Sequence, residues 1–195
     1  MLNKWICRIL PVACLMMTGV SISGCDEENS GDTPEAEGTT NNVAYCDATK
    51  DWNNTYGVLE AELIDLVNQQ RSRGASCGSQ GTFGASSPLT PHAALTCAAR
   101  VHSKDMADRN FFDHTNPDGQ NHSDRIHAAG LDAGYTGENI AAGNATAKAT
   151  FDQWMASDGH CANFMNPDFT HIGVGYYPGG QYGHIWTATL AAINE

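Results

Sequence analysis

Leu59, Leu63, Leu66 and Val67 recur at helical spacing, so residues 58–72 are expected to form an amphipathic helix. A second helix is expected over residues 91–110. There Leu95, Ala99, His102 and Met106 share one stripe, which turns His102 inward or to the edge of the core. Ser123 as N-cap and Gly130 as stop delimit a short helix over 123–129. A fourth helix over 146–156 would bury Ala147, Phe151, Trp154 and Met155, and a short one follows over 160–165. The period then changes. Ile172, Val174 and Tyr176 alternate with Gly173, Gly175 and Tyr177, Pro178-Gly179-Gly180 turns the chain, and residues 182–192 return as a second strand. Helices come first and a hairpin last, which excludes a regular alternation of strand and helix. The expected class is α+β, with helices packed on an antiparallel sheet.

The first residues break this pattern. Lys4 and Arg8 precede the mostly apolar run ILPVACLMMTGVSIS, residues 9–23, which is too short for a comfortable membrane span and has the shape of a secretory signal. It ends in Ile22-Ser23-Gly24-Cys25, which resembles a bacterial lipobox and marks Cys25 for acylation. Several acyl chains on Cys25 would suffice for stable anchoring. The segment DEENSGDTPEAEGTTNN that follows has no aliphatic side chain larger than alanine, so it reads as a solvated tether. The expected organisation is a lipoprotein signal peptide over 1–24, an acidic tether over 25–45 and one domain over 46–195.

Charge narrows the partners. After Gly24 the chain holds all 22 acidic residues and eight of the ten basic ones, a net charge of −14 for that segment. That argues against nucleic acid and against basic-patch binding to anionic lipid. Cysteine supports export. With Cys7 and Cys14 in the signal and Cys25 lipidated, Cys46, Cys77, Cys97 and Cys161 remain. Four cysteines in an exported domain suggest two disulfides, with three connectivities. Cys77 and Cys97 bracket the loop GSQGTFGASSPLTP, which favours Cys77–Cys97 and, by elimination, Cys46–Cys161.

The chemistry-bearing residues collect at turns. In FFDHTNPDG, residues 111–119, His114 stands between two aromatic rings and the turn Asn116-Pro117-Asp118-Gly119. Glu138 lies in Gly137-Glu138-Asn139, His160 follows Gly159, and His184 falls in the last strand. H-E-x-x-H and Walker motifs are absent from the sequence. The segments HSKDMADRNFFDHTNPDG, DRIHAAG, GENIAAG, WMASDGHCANFMNPDFTHIGVGYY and WTATLA occur in that order. Together they resemble the CAP superfamily (cysteine-rich secretory proteins, antigen 5 and pathogenesis-related 1) in its bacterial SCP-like form, over roughly residues 58–192.

The resemblance implies a three-layer α-β-α sandwich with a central antiparallel sheet and a surface cleft. In many eukaryotic members two histidines and two glutamates line that cleft, and the histidines can hold a divalent metal. His114 matches the first histidine and Glu138 the first glutamate. At the position of the second glutamate stands Ser157, beside Asp158. At that of the second histidine stands Ile185, with His184 one residue earlier, an offset that in a strand turns a side chain to the opposite face. His160 fits the G-H pattern of bacterial members. The expected pocket is therefore His114, Glu138 and His160, with His114 and His160 as candidate ligands for zinc or another divalent metal. His184 is an offset further candidate. His102, His122, His127 and His171 are read as structural or solvent-facing.

The favoured function is a lipid-anchored cell-envelope binding module that acts as a monomer on an envelope ligand or protein, with Cys25 holding it to the membrane. The alternative is a hydrolase in which metal-bound or Glu138-activated water attacks an envelope substrate, with His114, Glu138 and His160 as its candidate catalytic residues. Lipid or sterol carriage ranks third.

Overall fold

A computed structural model describes residues 43–193. The signal, Cys25 and nearly all of the tether lie outside the described residues. Ala44 and Tyr45, assigned to the tether by sequence, instead begin a 3-10 turn, Ala44–Thr49. Helix α1 spans Asn54–Arg71 and starts where the Asn53 side chain accepts from the Thr55 amide. A two-residue hairpin, β1 (Ala75–Ser76) and β2 (Thr82–Phe83), and the short β3 (Thr90–Pro91) lead into α2, Ala93–Arg109. Then come α3 (His122–Ala128), β4 (Thr136–Ala142), α4 (Ala147–Met155), α5 (Asp158–Met165), β5 (His171–Gly179) and β6 (Gly183–Ala191). The N-cap of α3 is Asn121 rather than Ser123. Asn121 accepts from the amides of Ser123 and Asp124, and Asp124 returns a bond to the Asn121 amide.

The main sheet has the order β3-β5-β6-β4. Strands β5 and β6 form the expected antiparallel hairpin, β4 pairs antiparallel with β6, and β3 joins β5 in parallel. Leu63, Val67, Trp154 and Phe164 from α1, α4 and α5 pack on Ile172, Val174, Trp186 and Leu190 of one sheet face. Helix α2 covers the opposite face, where Met106 and Ala107 meet Ile140 and Ile185, and it packs in turn against α3. The result is three layers, α-β-α. The glycines alternating along β5 let α2 approach. A Cβ on Gly173 would lie 2.1 Å from the Leu95 backbone, and one on Gly175 would lie 2.4 Å from that of Ala99. Buried Arg71 ties loops together by donating to the carbonyls of Ser87, Phe164, Asn166 and Phe169.

Strand β4 lies at the sheet edge. Two of its outward carbonyls are occupied: Ile140 O accepts from Trp154 Nε1 at 3.0 Å and Glu138 O from Asn163 Nδ2 at 3.3 Å. These bonds block pairing with a further strand.

The disulfides correct the expected pairing. Cys46 joins Cys97 and Cys77 joins Cys161, with Cα–Cα separations of 5.7 and 5.4 Å. The 78–92 segment does not fold back on itself. Its first residues are held to α5, where Asp158 accepts from the Ser79 amide and hydroxyl at 2.8 and 2.6 Å. Its end runs along β5 to the start of α2, the helix that packs against the 3-10 turn carrying Cys46.

Candidate functional site

Helix α2 ends at Asn110, a left-handed residue with φ 55° whose side chain accepts from the Gln181 amide of the β5–β6 turn. That stop sends the chain back across the molecule. The buried Asn116 closes the turn predicted from sequence by accepting from the amides of Asp118 and Gln120. His114 is held just before it. Opposite stands β4, whose alternation sends Glu138 toward α2 and α3 and Asn139 toward α5.

Glu138 is the centre of this site. Its Oε1 accepts from His114 Nδ1 at 2.8 Å and its Oε2 from Arg125 Nη2 at 2.7 Å. The side chains of Glu138 and Arg125 are each 1% exposed. His102 Nε2 lies 4.0 Å from Oε1 and donates to the Asp113 carbonyl at 3.0 Å. Burial alone would favour the neutral acid. The bond from His114 and the Arg125 guanidinium outweigh it, and hold the Glu138 carboxyl below its ordinary value. Burial also lowers His102, to about 4, so it stays neutral.

His160 sits on α5, half-buried, and its side chain shares no hydrogen bond with His114 or Glu138. Its link to them is through the backbone, because its carbonyl accepts from Asn139 Nδ2 at 3.1 Å. Asn163 closes this wall by donating to Asn139 Oδ1. Burial and the neighbouring charge of His114 lower the His160 imidazole. His184 lies on the other face of the sheet, where its Nδ1 meets the Tyr176 hydroxyl at 2.7 Å. Ile185 takes the Glu138 face and belongs to the core with Ile140. Asp158 is engaged with Ser79 and does not replace a cleft carboxylate.

Three contributors escaped the sequence reading. Arg125 is the buried partner of Glu138. His102 stands against the same carboxylate, and half-buried His122 lies within range of the Glu138 and His114 charges. The sequence alone reads His102 and His122 as structural or solvent-facing. The inward stripe position of His102 was a usable signal, since a buried imidazole needs a partner. Arg125 is marked in the sequence only as part of the DRIHAAG segment that carries the family resemblance, with no partner assigned.

The chemistry follows from these bonds. Ionised Glu138 only accepts, so His114 Nδ1 carries the proton and Nε2 is the nitrogen left for a ligand. Both Glu138 oxygens are in use, so a metal would have His114 and His160 as donors. Among the described residues no group of three or more His, Cys, Asp or Glu is placed to share a metal ion. The residues therefore do not fit a resident zinc centre, which takes three or four protein ligands.

Glu138 also raises the His114 imidazole, chiefly through the hydrogen bond, against the effect of burial. A raised folded value means that this contribution to stability is complete below the ordinary histidine value of 6.5 and is lost as the pH rises through the folded value. NMR titration of the His114 ring should give a midpoint above 6.5 in the native protein. In Glu138→Gln the midpoint should fall back toward that value. A native midpoint below it would contradict the geometry.

Comparison with known proteins agrees with this architecture. The model of the cysteine-rich secretory protein family (CAP) matches residues 64–190, more than half of the chain. The chain is 35% identical over 162 residues to the uncharacterized protein YkwD of Bacillus subtilis, covering 80% of this chain and 58% of that one. It is 36% identical over 74 residues to the uncharacterized membrane protein YlbC of the same organism, 38% of this chain and 21% of that one. This chain thus spans less than two thirds of the length of either relative. Among solved structures, an extracellular SCP-domain protein from Bacillus anthracis superposes with a TM-score of 0.61 at 29% identity, covering 71% of this chain and 41% of that one. An outer surface protein of Borrelia burgdorferi superposes with a TM-score of 0.55 at 18% identity, covering 75% and 96%, and shares the fold. With its three layers, its hydrogen-bonded His114–Glu138 pair and the family match over most of the domain, this chain belongs to the cysteine-rich secretory protein (CAP) family.

Proposed function

We propose that this protein is exported, anchored in the cell envelope through acylated Cys25, and binds an envelope ligand at the His114–Glu138–His160 cleft without turning it over. One observation carries the preference for binding. Glu138 is bonded at both oxygens and its basicity is lowered, which makes it a poor base for activating water. Among the described residues, no serine, threonine or cysteine is hydrogen-bonded to His114 as a nucleophile would be. The half-exposed His114 is then a recognition group, donating from Nε2 to an acceptor on the ligand when protonated. Export is supported by the signal-like first residues and by the similarity to an extracellular SCP-domain protein. No helix among the described residues is long and apolar enough to cross a membrane.

A second reading rests on the His114–Glu138 pair itself, since a carboxylate that fixes an imidazole tautomer is also the arrangement of a general base. One experiment separates the two. Purified protein is incubated with isolated cell envelope, and both retention and release of soluble fragments are measured. Retention that falls at least about tenfold in His114→Ala, with no fragments released, is the expected result. Fragments that appear with the native protein and vanish with His114→Ala would replace the binding module by a hydrolase. For the anchor, mass spectrometry of the membrane fraction should find the mature chain beginning at acylated Cys25. An unmodified Cys25, or cleavage elsewhere, would remove the anchor from the proposal.

A further inference from the structure

Tyr135, the residue before β4, is 49% exposed, more than any other Phe, Tyr or Trp among the described residues. Surface aromatics scattered singly are ordinary, but this one is fixed at both its ring and its hydroxyl. The ring lies stacked on Phe169, with centroids 4.8 Å apart and planes 12° from parallel. Phe169 is buried in the main core, and a Cβ on Gly137 would come 2.8 Å from its ring. The Tyr135 hydroxyl accepts from Asn166 Nδ2 at 3.0 Å. Buried Arg71 holds the loop that carries both partners, by donating to the carbonyls of Asn166 and Phe169. With one face packed on Phe169, the ring turns its opposite face to solvent as a flat, rigid surface.

The ring begins a row of uncharged polar groups beside the edge strand. On the same side of β4, Asn139 donates to the His160 carbonyl and accepts from Asn163. His160, Asn163 and Asn166 follow one another at one-turn spacing, the last as the C-cap of α5. From His160 to Asn166 the row measures about 9 Å, at a rise of about 1.5 Å per residue. Three hydrogen-bonding functions in it are open. The Tyr135 oxygen accepts from Asn166, so its own O–H is free to donate. Asn163 spends its amide hydrogens on the Glu138 carbonyl and on Asn139, and its Oδ1 has no partner among the described residues. The His160 imidazole has none either, and both side chains reach solvent.

An open aromatic face beside alternating donors and acceptors suits a pyranose ring, which carries C–H groups on its face and hydroxyls at its rim. Other ligands fit less well. An anionic polymer finds no cation in the row, because burial keeps the His160 imidazole below its ordinary value and so neutral at pH 7. The net charge of −14 after Gly24 also repels it. A peptide strand would need the outward carbonyls of β4, and those of Glu138 and Ile140 are taken. An apolar chain would leave the open amide and imidazole unpaired. We infer that this row binds a neutral oligosaccharide of the envelope, which stacks one sugar ring on Tyr135 and hydrogen-bonds to Asn163 and His160. The inference rests on the reading of this protein as an envelope-binding module and gives its ligand a chemical class. His160 joins the row to the His114 cleft.

The test is saturation-transfer NMR on the full-length protein, in a detergent without a sugar head group. The probe is chitotriose, a neutral trimer of N-acetylglucosamine. Saturation should reach its ring protons, with a dissociation constant in the millimolar range or tighter. Tyr135→Ala should weaken binding about tenfold, the upper end of what one aromatic stack contributes. Tyr135→Phe, which keeps the ring, should lose less. Tyr182→Ala, which removes another exposed ring from the β5–β6 turn, should change nothing. Thermal melts check that each variant is folded. No transfer with the native protein, equal losses in Tyr135→Ala and Tyr182→Ala, or displacement of the trimer by N-acetyl-trialanine amide would overturn the inference. Envelope retention tests the underlying reading separately. Retention lost in His114→Ala but kept in Tyr135→Ala would preserve the binding module and overturn the sugar row. Chitotriose bound by a protein that the envelope does not retain would preserve the row and overturn the module.

Discussion

Replacing Arg125 by methionine should lower the unfolding free energy at pH 7 by about 3–5 kcal/mol, the cost of leaving one member of a buried ion pair alone. Arg125 and Glu138 are both 1% exposed and bonded at 2.7 Å. Without the guanidinium, the Glu138 carboxylate keeps only His114, half in solvent, and a neutral His102. The pH dependence should also reverse. In the native protein the Glu138 carboxyl is held below its ordinary value of 4.5, so its contribution to stability is present above that value and is lost as the pH falls through the folded one. In Arg125→Met burial dominates and raises the carboxyl, so stability is lost as the pH rises. The deficit should therefore be largest at pH 7 and shrink toward pH 4. Glu138→Gln added to Arg125→Met should recover much of the loss, because it removes the stranded charge. Urea denaturation of native, single and double variants at both pH values checks this. Equal deficits at the two pH values would mean that Arg125 acts through packing, and the electrostatic account of the site would fail.

Removing the Cys77–Cys161 bridge should cost about 4 kcal/mol, as expected for releasing a long loop in the unfolded chain. The bridge spans 84 residues and closes the distance between the β1–β2 hairpin and α5. Its sulfurs pack with Met165, Ala75 and Phe83, so Cys77→Ala with Cys161→Ala also empties part of a small apolar cluster. Loss of Cys46–Cys97, across 51 residues, should be felt at the 3-10 turn and α2. Peptide mapping under non-reducing conditions should yield Cys46 linked to Cys97 and Cys77 linked to Cys161. A Cys77–Cys97 peptide, or free thiols, would refute the arrangement. A melting temperature unchanged by the double alanine variant would refute the energetic part.

Local rules carried the sequence reading as far as local physics reaches. A 3.6-residue period needs only neighbours on the same helix to be legible, so α1, α2 and α4 were recognised within a few residues of their ends. The β5–β6 hairpin was equally visible, because its alternation and its glycine turn lie within about twenty residues of chain. Strand β4 was not. Its residues Gly137, Glu138 and Asn139 are polar or small yet buried, because one carboxylate faces a guanidinium from α3 and one amide faces the backbone of α5. No apolar alternation survives in such a segment, and only the family pattern marked it.

His114 and Glu138 could be paired by motif, since the turn Asn116–Gly119 and the G-E-N segment each stand out alone. That Arg125 completes the carboxylate, and that His102 stands against it, depends on α2 and α3 packing on one face of the sheet. The disulfide partners likewise follow from which surfaces meet, at sequence separations of 51 and 84 residues, and not from the loop between two cysteines. The one-residue offset of His184 was legible as a change of strand face. Its actual partner, the Tyr176 hydroxyl, was decided by the register of β5 against β6, which sets Tyr176 opposite Trp186 and brings His184 beside it on the same face. Periodicity thus determined the elements. The partners of buried charges and sulfurs were decided in three dimensions, because a buried polar group is satisfied by whatever the packing brings within hydrogen-bonding distance, however far away it lies along the chain.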